Sequence, residues 1–112
     1  MQVAERIQDD KLILMISGRL TFYSRKVFHA LVNTAKLSGA RHIIFNMRDV
    51  TFLDSSAVGE LVLAHLNLEE GGIVMSLVSP PKDVNMVLES SNFPGLVPTY
   101  PTEEIALQAA VH

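Results

Sequence analysis

A single α/β domain, built on a mixed and mostly parallel β-sheet of four to five strands flanked by about four helices, is the fold class this sequence predicts. Three observations lead there. Leu12 to Ile16, His42 to Met47 and Ile73 to Val78 are short apolar runs rich in β-branched residues, which suits strands covered on both faces. Between these runs the apolar period lengthens to that of a helix. The chain has 112 residues, enough for one core with a radius of gyration of about 13 Å and too few for a second.

Val3 to Ile7 is expected as an edge strand, paired with Leu12 to Ile16 through a turn at Asp9 and Asp10. Ser24 is placed to cap a first helix whose stripe is Val27, Phe28, Leu31, Val32 and Ala35, ending at Gly39. A second helix carries Val58, Leu61, Val62 and Leu66 inward and stops at Glu69 to Gly72. Ser79, Pro80 and Pro81 open a third, with Val84, Val87 and Leu88 facing the core and Asn92 to Pro94 ending it. Leu96 to Pro98 reads as a very short last strand, and Pro101 to Val111 as a closing helix with Glu103 and Glu104 at its positive end. The order β-β-α-β-α-β-α-(β)-α implies right-handed crossovers and one domain over residues 1 to 112.

Composition narrows the function classes. Hydrophobic residues make up 48% and charged residues 19% of the chain, which excludes wholesale disorder. Without cysteine there is no disulfide, no thiolate nucleophile and no Cys-based zinc site, which fits the reducing cytoplasm. No run of about 18 apolar residues is present, so neither a secretory leader nor membrane insertion is expected. The net charge is −3 and no Lys or Arg stripe follows a phosphate backbone, so nucleic acid is not an expected ligand. Charge is nevertheless uneven. Residues 1 to 56 carry eight basic and five acidic side chains, whereas residues 57 to 112 carry one basic residue, Lys82, and seven acidic ones. Such polarity is able to orient a protein partner.

In open α/β sheets, working groups gather beyond the carboxyl ends of parallel strands, here the loops Gly18 to Tyr23, Arg48 to Ser56 and Ser79 to Lys82. In the second of these, Asp54, Ser55 and Ser56 stand where the apolar helical stripe begins, so one caps the helix and the others fill its first turn. By itself that tripeptide is a good cap. It is also a favourable place for a phosphoryl group, because unsatisfied N–H groups and the helix dipole stabilise an anion there by about 0.3–1 kcal/mol. A phosphate adds about −1.5 to −2 charges beside Asp54, enough to repel a partner docked on the uncharged surface.

The stretch from Ile43 through Asn46, Asp49, Asp54, Ser55, Ser56 and Ala57 to Leu61 resembles the signature of the STAS family, the sulfate-transporter and anti-sigma-factor-antagonist domains. Gly18-Arg19-Leu20 resembles the family's Gly-x-Leu turn, and Thr102 to Leu107 its closing helix. The resemblance implies a binding module rather than an enzyme. Stand-alone members bind a kinase-type anti-sigma factor when unphosphorylated, that serine kinase phosphorylates a serine of the motif, and a PP2C-type phosphatase reverses the step. Carried over, the phosphoacceptor is Ser56. Asp54 orients or polarises it, Ser55 is a local cap, and Thr21 occupies a position that is usually acidic in such antagonists. The docking surface so implied comprises Phe22, Tyr23 and Ser24 with Ala57, Val58 and Gly59, where Ala57 replaces a common glycine. Whether two copies form a homodimer is left open.

Two other readings compete. Thr21 and Ala57 motivate a constitutive, unphosphorylated scaffold or regulatory subunit, for instance of a lipid-transport ATPase or a signalling assembly. A serine hydrolase would need a base that no Gly-x-Ser-x-Gly elbow or placed histidine supplies. His29, His42, His65 and His112 lack the spacing of metal ligands, and no Gly-rich phosphate loop occurs, so neither metal nor cofactor is expected. Phe22 and Tyr23 are either a staple folded back on the first helix or an exposed anchor for a partner.

Overall fold

A computed structural model describes residues 1–109. Five strands lie in the spatial order β1-β2-β3-β4-β5. β1 (Gln2–Gln8) runs antiparallel to β2 (Lys11–Leu20), and β3 (His42–Leu53), β4 (Val74–Val78) and β5 (Thr99–Tyr100) follow in parallel. Asp9, at φ 56°, makes the hairpin turn, a left-handed conformation that a short polar side chain tolerates. Among the described residues four α-helices accompany the sheet: α1 (Arg25–Lys36), α2 (Ser55–Glu70), α3 (Lys82–Ser90) and α4 (Glu103–Gln108).

The expected strand count and mixed, mostly parallel sheet are present. One face, with Leu14, Phe45 and Leu77 side by side on β2, β3 and β4, packs under α1, α2 and α3 in the main core. The opposite face, with Ile13, Ile44 and Val78, is closed by Ala106 and Leu107 of α4. Glu103 ties α4 to the sheet, accepting a hydrogen bond from Asn46 Nδ2 at 2.6 Å and pairing with Arg6. All seven residues of β1 are exposed, and among the described residues its outer edge has no neighbour in the sheet.

Several boundaries differ from expectation. Gly18 to Leu20 and Arg48 to Leu53 are strand rather than loop, because β2 and β3 remain paired through irregularities between Met15 and Ser17 and between Gly18 and Arg19. Val27 and Leu66 face outward, 58% and 49% exposed. In their place α2 buries Ala57 and Ala64 with Val58, Leu61 and Leu68, so small residues bring that helix close to its neighbours. Ser79 is left-handed at φ 55° and its hydroxyl donates to the Pro101 carbonyl, so α3 starts only at Lys82. The last strand lies at Thr99–Tyr100 and not at Leu96 to Pro98, because Phe93–Gly95 form a 3-10 turn and Leu96 caps it. Val111, placed by the sequence in the closing helix, lies outside the described residues, as does His112. Gly72, at φ 72°, reverses the chain between α2 and β4.

His42 is buried, its Nε2 2.7 Å from Ser76 Oγ. Burial, and then the ammonium of the cross-strand neighbour Lys11, holds its imidazole below the ordinary value. Burial works to raise the Glu103 carboxyl, but Asn46 and Arg6 outweigh it and hold the group below the ordinary glutamate value. Both shifts act in the same direction. As pH falls, the unfolded chain takes up protons that the folded chain refuses, so stability drops, first below about pH 6.5 for His42 and then below about pH 4.3 for Glu103. The urea midpoint of unfolding is therefore expected to decline from pH 7 toward acid, and His42→Gln should remove the upper limb of that decline. An unchanged profile in the variant would show that His42 does not govern it.

Candidate functional site

The site lies at the carboxyl end of the parallel strands. β3 delivers Asp54 directly to the head of α2, where its backbone is extended (φ −99°, ψ 174°) and its Oδ1 accepts the Ala57 N–H at 2.8 Å. Asp54 is thus the cap. Ser55 and Ser56 follow as the first two helical residues, both exposed, and the capping role expected of Ser55 belongs to Asp54. The second carboxylate oxygen of Asp54 accepts the Phe22 N–H at 3.2 Å, and the Asp54 N–H donates to the Leu20 carbonyl at 3.2 Å. One acid therefore joins the ends of β2 and β3 to the first turn of α2. Losing a helix cap costs about 0.5–2 kcal/mol, and here a second backbone donor would be orphaned as well.

Thr21, Phe22, Tyr23 and Ser24 meet this head from the β2 side. Phe22–Ser24 form a 3-10 turn in which the Tyr23 N–H donates to Thr21 Oγ1 at 3.1 Å and the Thr21 N–H donates to Ser24 Oγ at 3.3 Å. Ser24 precedes α1 as expected, yet its side chain gives α1 no cap; its hydroxyl donates back to the Arg19 carbonyl instead. The staple reading of Phe22 and Tyr23 fails on exposure, 47% and 89%. Their rings meet edge to face at 5.6 Å.

Among the partner-facing candidates, Ala57 and Val58 are buried under the head of α2, while Gly59 is exposed. Ala57 also lines a small cleft with Leu20, Thr21, Ser24, Arg25, Phe28 and Glu60. The structure brings Thr21, Phe22, Asp54 and Ala57 together through direct bonds or a shared cleft, and sets Ser55, Ser56 and Gly59 on the open side of the same helix head. Arg19, Arg25 and Phe52 were not expected here. The Arg25 guanidinium lies 3.7 Å from the Phe22 ring centroid, and that of Arg19 lies 4.3 Å from Phe52. A sequence signal existed only for Arg25, three residues after Phe22. The Arg19–Phe52 pair depends on a shifted strand register.

Residues 2–106 match the family model of the STAS domain. The chain belongs to the STAS family. Among STAS proteins it is 30% identical over 104 residues to a candidate anti-sigma factor antagonist of Thermotoga maritima, covering 92% of each chain. A crystal structure of such a candidate antagonist from Thermotoga maritima superposes with a TM-score of 0.86 at 28% identity, over 95% of this chain and 92% of that one. The anti-sigma factor antagonist SpoIIAA, solved in its unphosphorylated form, superposes with a TM-score of 0.77 at 25% identity, over 95% and 93%. Among the described residues of this STAS domain, no helix is long and apolar enough to cross a membrane, and no group of three or more acidic or histidine side chains is disposed to hold a metal ion.

Proposed function

We propose that this STAS domain is an anti-sigma factor antagonist that binds a kinase-type anti-sigma factor in the cytoplasm while Ser56 is unphosphorylated and releases it once Ser56 carries a phosphate. The observation that carries the reading is the exposure of Ser56 in the first turn of α2, beside a cap that already uses both oxygens of Asp54. Likeness to SpoIIAA, a protein with a distinct unphosphorylated form, supports it. In this reading the chain is a substrate and a ligand, not a catalyst. Orphan N–H groups at the helix head stabilise the added dianion, and a PP2C-type phosphatase resets the switch.

Incubating the chain with its anti-sigma-type kinase and ATP is expected to raise its mass by one phosphate. Ser56→Ala should abolish the gain and Ser55→Ala should leave it intact. Phosphate retained in Ser56→Ala would remove the acceptor from that position. A second reading, a constitutive subunit of a lipid-transport ATPase or signalling assembly, draws on Thr21, whose hydroxyl is engaged by the Tyr23 N–H in the 3-10 turn. It expects no mass gain at all.

A further inference from the structure

The uneven charge of the chain is concentrated on two neighbouring helices. α1 carries Arg25, Lys26 and Lys36 with no acidic residue, and α2 carries Glu60, Glu69 and Glu70 with no lysine or arginine. Each helix crosses over between adjacent parallel strands on the same face of the sheet, so the two run side by side in one direction. Asn67 Nδ2 donates to Asn33 Oδ1 at 3.0 Å, 34 positions away. The same spacing relates Lys26 to Glu60, His29 to Leu63 and Lys36 to Glu70, and Lys26, His29, Glu60 and Leu63 line one open cleft. A groove of about 370 Å³ continues from it, with buried Phe28, Val32 and Ala64 at its floor. Leu63 and Leu66 stand exposed at its middle levels, between Glu60 and Glu70. Among the described residues Lys26 and Lys36 pair with no carboxylate, and Glu60 and Glu70 pair with no cation. The groove thus has a basic wall and an acidic wall that leave each other unpaired, with apolar side chains between them.

We propose that this face binds a second copy of the chain, about a two-fold axis that runs along the groove. That axis lays α1 of each copy on α2 of the other, level for level. Lys26 then faces Glu60 of the second copy, Asn33 faces Asn67 and Lys36 faces Glu70, and symmetry makes every pair twice. Leu63 and Leu66 leave water at the centre of the contact. An axis across the groove would instead set α1 on α1 and α2 on α2, basic on basic and acidic on acidic, which like-charge repulsion opposes. A partner of another sequence would have to reproduce both walls, whereas a second copy brings them by symmetry. The contact uses the helical layer, leaves the flank of β1 uninvolved, and does not rest on the reading of Ser56.

Sedimentation of the full chain over a concentration series tests the proposal. The wild type is expected to pass from the mass of one chain to that of two. Lys26→Glu and Glu60→Lys reverse one wall each and should each weaken self-association about tenfold or more, since each creates two like-charge pairs per dimer. An equimolar mixture of the two variants should dimerise again, because every facing pair then joins opposite charges. Rescue by mixing separates a lost contact from a lost fold, and a thermal midpoint of each variant checks the fold directly. Leu63→Asp should also abolish the dimer, and Lys82→Glu on α3 should leave it unchanged. A wild type that keeps the mass of one chain at every concentration overturns the proposal. A dimer that survives both single reversals overturns this face and axis, as does a mixture that fails to restore association.

Discussion

Ser56→Asp is expected to weaken binding of the anti-sigma partner by about 1–3 kcal/mol, roughly five- to 150-fold, without loosening the fold. The substitution adds a fixed negative charge one residue from an exposed serine and two residues after Asp54. Within the free chain that charge sits at the positive end of a 16-residue helix, where it is worth about 0.3–1 kcal/mol in favour of folding. A lower affinity therefore reports on the docked surface rather than on unfolding. Calorimetry against the kinase, with a thermal melt of the same sample, separates the two, and Ser55→Asp shows how position-specific the effect is. An affinity equal to wild type would count against the switch and in favour of the constitutive scaffold.

Phe45→Ala is expected to destabilise the fold by about 3–5 kcal/mol, a large share of the roughly 5–15 kcal/mol that holds a domain of this size together. Phe45 is fully buried on the middle strand, between Leu14 and Leu77, and its ring meets Phe28 of α1 at 5.8 Å. Removing it opens a cavity beneath α1 and α2 whose walls belong to separate elements and collapse poorly. Urea unfolding checks the figure, and an unchanged denaturant slope with a lower midpoint would assign the loss to the native core. A loss below about 1 kcal/mol would mean that the core relaxes into the gap, contrary to the close packing of protein interiors.

The strands were legible because continuous apolar runs mark a sheet covered on both sides, and the helix order followed from the change in period. What escaped the sequence was long-range. Arg48 to Leu53 mixes charged and apolar residues like a loop, yet it remains in the sheet because β2 and β3 shift register and go on pairing. Large apolar residues dominate the helical periodicity and point Leu66 inward; α2 instead buries Ala57 and Ala64 and leaves Leu63 and Leu66 outward. At the site, Asp54 was legible as one of three candidate caps, because cap chemistry is local. Its second bond, to the Phe22 N–H, spans 32 positions of sequence and leaves no local trace. The stacking of Arg19 on Phe52 was hidden for the same reason.

The bare flank of β1 has a consequence for how the protein keeps apart from itself. If two copies joined along that flank about a two-fold axis, the only antiparallel alignment to overlap all seven residues from Gln2 to Gln8 would set Glu5 against Glu5 at its centre. Sliding the alignment by one step shortens the overlap and puts Arg6 against Arg6, again a like-charge pair, or Ala4 against Ala4, which faces no like charges but pairs fewer residues. The fullest edge-to-edge pairing of two copies along this border is thereby opposed by the strand's own charges, although backbone groups of alternate residues stay open on that side.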